Sequence, residues 1–139
     1  MAEDPPERLA MIVKSDSFED LLLVFSFAGI AAASAIEVAM FFTNRAARRL
    51  RVGALSAIED GDELSERFRA GAEELGFRDL GAMLREIKAT GLVRVYLCSR
   101  GARIWDLDAD SIAPEVDSVV GSATFLLEEV RRAQTVVTI

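Results

Sequence analysis

The chain contains a single cysteine, Cys98, in the stretch VRVYLCSRGARIWD, where an apolar, β-branched run gives way to a turn with two arginines. A thiol reacts as its thiolate, and nearby cations lower the pKa of the thiol. Arg100 and Arg103 are candidates to supply that positive charge, and Ser99 is a candidate hydrogen-bond donor. The alternative role is packing, because free cysteines are among the most buried residue types. The local pattern leaves both roles open.

The rest of the composition narrows the chemistry available to Cys98. The chain of 139 residues has no histidine, which excludes histidine-dependent triads, Cys–His pairs and imidazole metal sites within one chain. A single cysteine also excludes an internal disulfide and every multi-cysteine zinc or iron–sulfur pattern. No P-loop or GxGxxG motif is present, and we expect no metal and no cofactor. With these sites excluded, the reaction open to the Cys98 thiol is sulfur or redox exchange with another molecule.

The net charge of the chain and its hydropathy pattern narrow the possible binding partners and the cellular compartment. A net charge of −7 without a long basic run argues against a nucleic-acid partner. The longest uncharged apolar stretch, residues 21–36, is shorter than the ~20 residues that span a bilayer, so we expect a buried helix and no membrane span. The free thiol, and an acidic N-terminus in place of a signal peptide, predict a cytoplasmic protein. Residues 1–8 are predicted to be a flexible tail, and residues 9–139 a single domain.

A second candidate site comes from the arginine-rich segment RAARRLR, residues 45–51. This segment could receive an anionic ligand at the end of the second strand, and Arg45 and Arg48, together with Arg100, are candidates to bind an anion or a nucleotide. A solvated helix face is the ordinary role of such a segment, because arginine is mostly exposed.

The elements that must position these residues are strands and helices that alternate along the chain. Short apolar runs predict strands at residues 9–15, 37–44, 93–97, 117–120 and 134–139. Capping residues and apolar periodicity predict helices from about residue 17 to 35, from 45 to 51, from 80 to about 90, and from 122 to 132. This alternation predicts an α/β fold, a three-layer α/β/α domain around a mainly parallel five-strand sheet.

The predicted topology places polar residues of three strand ends along one edge of the sheet. Chemistry in parallel sheets gathers at the carboxyl ends of the strands. The residues at those ends are Lys14–Asp16, Thr43–Arg45 and Cys98–Arg100. Thr43 and Asn44 are therefore candidates to line a pocket at Cys98.

Several segments also follow one another in a familiar order. These are VFSFAGIAAASAIEV, AMFFTN, LGAMLREIKATG leading to VRVYLCS, and VDSVVGSATFLLEEV before the terminal TVVTI. This order, from about Leu9 to Ile139, resembles the DsrE/DsrF-like family of small sulfur-relay proteins, which is related to the TusBCD sulfur carriers. The resemblance implies a three-layer fold with a five-strand parallel sheet. It also implies a homo-oligomer, such as a trimer or hexamer, with sulfur-donor and sulfur-acceptor proteins as partners.

The resemblance also implies a role for Cys98. Members active in sulfur transfer carry a cysteine after the third strand, which accepts sulfane sulfur as a persulfide, and Cys98 matches that position. Arg100 and Arg103 would stabilise the anion. Family sequences often continue into a helix with small and Met-rich residues, whereas SRGARIWD departs from that pattern and weakens any contribution of a helix to the thiol pKa. The implied function is a sulfur carrier or sulfurtransferase-like protein; the alternative is a non-enzymatic oligomeric interaction or redox-sensing module.

Overall fold

Strands and helices alternate in the computed structural model, which describes residues 4–59 and 61–139. The strands are β1 (Arg8–Val13), β2 (Glu37–Phe42), β3 (Val93–Cys98), β4 (Ser118–Val120) and β5 (Thr135–Thr138). The α-helices are α1 (Phe18–Ala33), α2 (Glu63–Glu74), α3 (Leu80–Lys88), α4 (Ser99–Ile104) and α5 (Ser122–Glu128). There are 3-10 helices at Asn44–Leu50, Ala54–Ser56 and Val130–Arg132. Residues 1–3 of the predicted tail lie outside the described residues, and β1 includes Arg8, the last residue of that tail.

All strand pairs of the sheet are parallel, in the order β4-β3-β2-β1-β5, which confirms the predicted fold class. The central strands are apolar at nearly every position, as a parallel sheet buried on both faces requires. Their register places Met11 beside Met40 and Met40 beside Val95.

The strand order determines which helices lie on which face. From β1 to β4 the chain moves across the sheet in one direction, and it then returns to β5 at the opposite edge. Because parallel crossovers are right-handed, the first connections lie on one face and the return through α5 lies on the other. The three layers therefore follow from topology, and one layer consists of α5 and the 3-10 helix Val130–Arg132.

The two faces of the sheet have cores of unequal size. The larger core lies under α1 and α3 and includes the fully buried Phe25, Phe42 and Leu97. Each fully buried side chain of this kind contributes about 1.5–3 kcal/mol relative to exposure. The smaller core on the α5 face contains Ala10, Ala39, Phe41, Cys98 and Phe125. Cys98 therefore belongs to the thinner side of the domain.

Helix boundaries follow local capping chemistry. The Ser17 hydroxyl accepts from the Asp20 N–H at 3.1 Å, and the Asp79 carboxylate accepts from the Ala82 N–H at 3.1 Å, so α1 and α3 begin as predicted. The predicted second strand is two residues too long, because Asn44 has a φ of 51° and the extended conformation stops at Phe42.

Residues 99–104 form α4 and not the turn that the sequence predicts. The arginine-rich segment is a 3-10 helix, Asn44–Leu50, whose Ala46 and Ala47 face the core and whose Arg49 is also buried. Within the described residues, no helix combines the length and apolarity needed to cross a bilayer.

Candidate functional site

Cys98 lies where β3 passes directly into α4. It is the last residue of β3, pairs with Val120 of β4, and occupies the N-cap position of α4. The residue is a free cysteine with 1% of its surface exposed. Sequence topology therefore placed this thiol correctly at the carboxyl edge of the sheet, and the fold surrounds it with protein.

Several polar groups near Cys98 shift the pKa of its thiol. Burial raises the pKa of the thiol, but the Thr43 hydroxyl, the backbone N–H groups of Gly101 and Arg100, and the Arg100 charge act in the opposite direction. Their combined effect holds the Cys98 pKa below its ordinary value. Hydrogen bonds to the charged form are the usual cause of such a depression. The arrangement therefore favours a thiolate in spite of the apolar surroundings.

Thr43 is held in place by the end of β2. Its backbone N–H donates to the Val13 carbonyl at 2.9 Å, and its side chain is one of the few buried polar groups. The Thr43 hydroxyl donates to the Asn44 Oδ1 at 3.4 Å. One hydroxyl proton serves one acceptor at a time. Ionisation of Cys98 therefore favours the rotamer in which Thr43 donates to sulfur.

Asn44 acts on the site through the backbone. Its positive φ turns the chain from β2 into the 3-10 helix Asn44–Leu50. Its carbonyl accepts from the Trp105 Nε1 at 2.9 Å, which fastens the end of α4 to the start of that 3-10 helix. Asn44 thus joins the 3-10 helix that Thr43 precedes to α4, and so fixes the position of Thr43 relative to the N–H groups of α4.

Gly101 is the site residue that sequence reasoning missed. A Cβ at this position would lie 2.7 Å from the Ala47 Cβ, closer than two carbons can approach. Glycine therefore lets α4 lie directly against the 3-10 helix Asn44–Leu50, and the Gly101 N–H contributes to the lowered pKa of Cys98. The sequence held no clear signal for this role, because the segment that contains Gly101 is predicted to be a turn, where glycine is common.

The remaining predicted residues differ in their relation to the sulfur. Arg100 is exposed, but its N–H and its charge both act on Cys98. Arg103 is exposed in the last turn of α4, and within the described residues no hydrogen bond or ion pair joins it to Cys98. Ser99 is exposed at the first position of α4, with its Oγ turned toward Gly121. The structure therefore brings Thr43 and Arg100 to Cys98, and leaves Ser99 and Arg103 at the periphery.

The arginines of the second candidate site, the predicted anion site, do not share one position in the structure. Arg48 forms an ion pair with Asp16 at 2.6 Å, and its guanidinium lies 5.9 Å from the centre of the Trp105 ring. Arg45 is exposed, and Arg100 lies beside Cys98. Arg48 and Arg100 are thus engaged with different groups.

Comparisons with known proteins identify the family and the fold. The family model described as the DsrE/DsrF-like family matches residues 8–139. Among solved structures, the chain is similar to MTH1491, a protein of unknown function from Methanobacterium thermoautotrophicum, with a TM-score of 0.61 and 15% identity. That similarity covers 96% of this chain and 99% of the other, and it concerns the fold.

The comparison with curated proteins finds no match. The family model, in contrast, extends from the first residue of β1 to the last residue of the chain. It therefore includes the sheet, Thr43, Cys98 and the whole of α4. The chain belongs to the DsrE/DsrF-like family.

Proposed function

We propose that the protein is a sulfur carrier that holds sulfane sulfur as a persulfide on Cys98. The observation that supports this most is the position of Cys98 at the carboxyl end of β3 and the start of α4, where the Thr43 hydroxyl, the Gly101 N–H and the Arg100 charge lower the pKa of its thiol. A cysteine that only packs has no need of a lowered pKa. Family membership adds to this support, because sulfur relay is the role associated with the family.

The proposed transfer is two successive thiol exchanges. The Cys98 thiolate attacks the outer sulfur of a donor persulfide, the donor S–S bond breaks, the transferred sulfur keeps its proton, and the donor leaves as a thiolate. An acceptor thiolate then attacks the outer sulfur of the Cys98 persulfide, and Cys98 leaves as a thiolate. No oxidant is needed, because one S–S bond forms for each that breaks. The chain has one cysteine, so the acceptor thiol belongs to a partner protein.

Access to the sulfur requires a local opening. Cys98 shares its apolar cluster with Phe125 of α5 and with Val120 of β4. The segment from β4 to α5 is short, and short elements open at a lower free-energy cost than the central strands. We place donor entry at this segment. Arg100 and Ser99, exposed at the start of α4, lie at its border.

The α5 face also supports a homo-oligomer. Leu126 and Leu127 of α5 are 53% and 54% exposed, and Val136 of β5 is exposed beside Ala10, on the same face of the sheet. Large apolar side chains grouped in this way mark interaction surfaces. We propose that a second copy of the chain covers them, as in the trimers or hexamers that the family suggests. A carrier with a free thiol suits the reducing cytoplasm.

Light scattering on the purified protein tests the oligomer. We expect a particle of at least two chains, and we expect Leu127→Glu to yield a monomer because it places a charge in the apolar surface. Leu64→Glu is the matched control, since Leu64 is 77% exposed on α2 and should leave the particle mass unchanged. A monomeric wild-type protein would contradict the proposal.

One observation favours a second function. Cys98 is almost fully buried, as a packing residue or a slowly reacting redox-sensing thiol would be. The protein would then be a non-enzymatic oligomeric module with the same fold. A native thiol that reacts only after unfolding would favour this alternative.

The carrier function is tested by the intact mass of the protein after treatment with glutathione persulfide. We expect a gain of one sulfur atom that a reductant removes. We expect no gain in Cys98→Ser, because no other thiol is present in the chain.

A further inference from the structure

Aromatic contacts fasten α5 to the face of the sheet that carries Cys98. Phe125 is 2% exposed and stacks on Phe41 of β2, with 4.7 Å between the ring centroids. The Tyr96 ring of β3 lies 5.7 Å from the Phe125 ring at an angle of 62°. Tyr96 and Cys98 are two positions apart on β3, so their side chains point to the same face of the sheet. Phe125 therefore closes the small core to which Cys98 belongs.

A second contact, one helical turn further along the chain, is ionic. The Glu129 N–H donates to the Phe125 carbonyl at 2.9 Å, and residues four positions apart share one side of a helix. One oxygen of the Glu129 carboxylate accepts from the Tyr96 hydroxyl at 2.9 Å, and the other accepts from the Arg8 Nη1 at 3.0 Å. The Glu129 side chain is only 15% exposed. Both oxygens of a mostly buried carboxylate thus join the end of α5 to two strands.

The partners of Glu129 are themselves held in place. The Arg8 Nη2 donates to Glu37 at 3.0 Å, and the Arg8 backbone N–H donates to the Gln134 side chain at 2.7 Å. Burial raises the pKa of Tyr96, and its bond to Glu129 acts in the same direction, so the phenol stays protonated and remains a donor. Hydrogen bonds between fixed donors and a buried carboxylate are stronger than those of exposed ion pairs.

The short length of α5 couples the aromatic and ionic contacts. The helix has seven residues, about two turns, and follows β4, a strand of three residues at the edge of the sheet. A helix this short moves as one body. Withdrawal of Phe125 from the core therefore also withdraws Glu129 from Tyr96 and Arg8.

We propose that Glu129 is a latch that holds α5 closed over Cys98 and controls how often a sulfur donor reaches the thiol. Glu129 is a positioning residue, because it acts through Phe125, and within the described residues no hydrogen bond or ion pair joins it to Cys98. The closed state shields the thiol from solvent, and local opening of α5 admits the donor. The latch rests on the proposed carrier function, since the admission of a donor matters only when Cys98 accepts sulfur.

Alkylation of native Cys98 by iodoacetamide tests the latch without any sulfur donor. We expect Glu129→Gln to raise the plateau of the pH–rate profile about three- to tenfold, because a neutral amide binds Arg8 and Tyr96 more weakly than a carboxylate does. The midpoint of the profile should stay in place, because the latch changes access to the thiol and not its pKa. Tyr96→Phe keeps the ring against Phe125, removes one donor and should also raise the plateau.

Two control variants separate the latch from general effects of charge and stability. Glu128→Gln removes the same charge from the neighbouring residue, which is exposed on α5 and forms no ion pair in the described part of the chain, and should alkylate as the wild type does. Asp79→Ala removes the cap of α3 on the opposite face of the sheet. It should lower the melting temperature but leave the alkylation rate unchanged.

Hydrogen exchange locates the opening. Exchange in Glu129→Gln should be faster in residues 121–133 and unchanged in α3, and light scattering verifies that the particle mass equals that of the wild type. Wild-type alkylation rates in both Glu129→Gln and Tyr96→Phe would overturn the latch, as would equal acceleration in Asp79→Ala or a shifted midpoint with an unchanged plateau. Failure of the carrier function has a different signature, in which Glu129→Gln speeds alkylation but Cys98 gains no sulfur from glutathione persulfide.

Discussion

Replacing Thr43 by valine should raise the pKa of the Cys98 thiol and slow its reaction with iodoacetamide at pH 7 by about three- to tenfold. Valine keeps the shape of threonine and removes the hydroxyl that lowers the pKa of the Cys98 thiol. A hydrogen bond to a charged group contributes about 1.5–3 kcal/mol, which corresponds to about one to two pKa units. About half of the lost thiolate fraction, on a logarithmic scale, is offset because a more basic thiolate is more nucleophilic.

The sign of the pH dependence follows from the same contact. A lowered pKa places the midpoint of the wild-type rate profile below that of an ordinary thiol, and Thr43→Val moves that midpoint upward. Thr43→Ser is the matched control, because it keeps the hydroxyl and should retain most of the wild-type rate. Equal midpoints in wild type and Thr43→Val would show that the hydroxyl does not stabilise the thiolate.

Gly101→Ala should lower the melting temperature by about 3–10 °C. The added methyl would lie 2.7 Å from the Ala47 Cβ, and neither group can move without moving its backbone. Overpacking of this kind costs about 1–3 kcal/mol, which exceeds the gain of about 0.5–1 kcal/mol from alanine in a helix. Separation of α4 from the 3-10 helix Asn44–Leu50 would also draw the Gly101 N–H away from sulfur. Cys98 should therefore react more slowly in this variant.

The control for this substitution is Gly71→Ala. Gly71 lies within α2, and no atom lies within 4 Å of the Cβ that alanine would add. Helix propensity then acts alone, and the melting temperature should rise by a few degrees. Thermal unfolding followed by circular dichroism measures both variants. A Gly101→Ala protein as stable as wild type would mean that the packing of α4 tolerates the methyl group.

Much of the fold could be predicted because its signals are local. Asp79 caps α3 where the sequence indicates, and the apolar runs of β2 and β3 are nearly continuous. Their parallel pairing follows from the alternation of strands with helices. The segment 99–104 was misread as a turn, because Ser99 and Gly101 are poor helix formers. It is helical because Ala102 and Gly101 pack against the 3-10 helix Asn44–Leu50, a tertiary contact that propensity does not record.

The candidate site was predictable only in part for a similar reason. Strand-end topology placed Thr43 near Cys98, and proximity in sequence identified Arg100. The donors from the Gly101 and Arg100 backbones depend on α4, which the sequence did not predict. Arg103 was chosen for its charge, but one further helical turn separates it from the sulfur. Cys98 is buried by α5, whose residues follow it by more than twenty positions in the sequence. The residues next to Cys98 therefore do not indicate its burial.

Persulfide formation on the native protein is the most direct test of the carrier function. Native protein is treated with glutathione persulfide, freed of reagent and weighed intact, beside Cys98→Ser and a sample unfolded before treatment. We expect the native wild-type protein to gain one sulfur atom, to lose it to a reductant or to an acceptor thiol, and Cys98→Ser to gain none. A wild-type protein that gains sulfur only after unfolding would contradict the carrier function and would identify Cys98 as a packing residue of an interaction module.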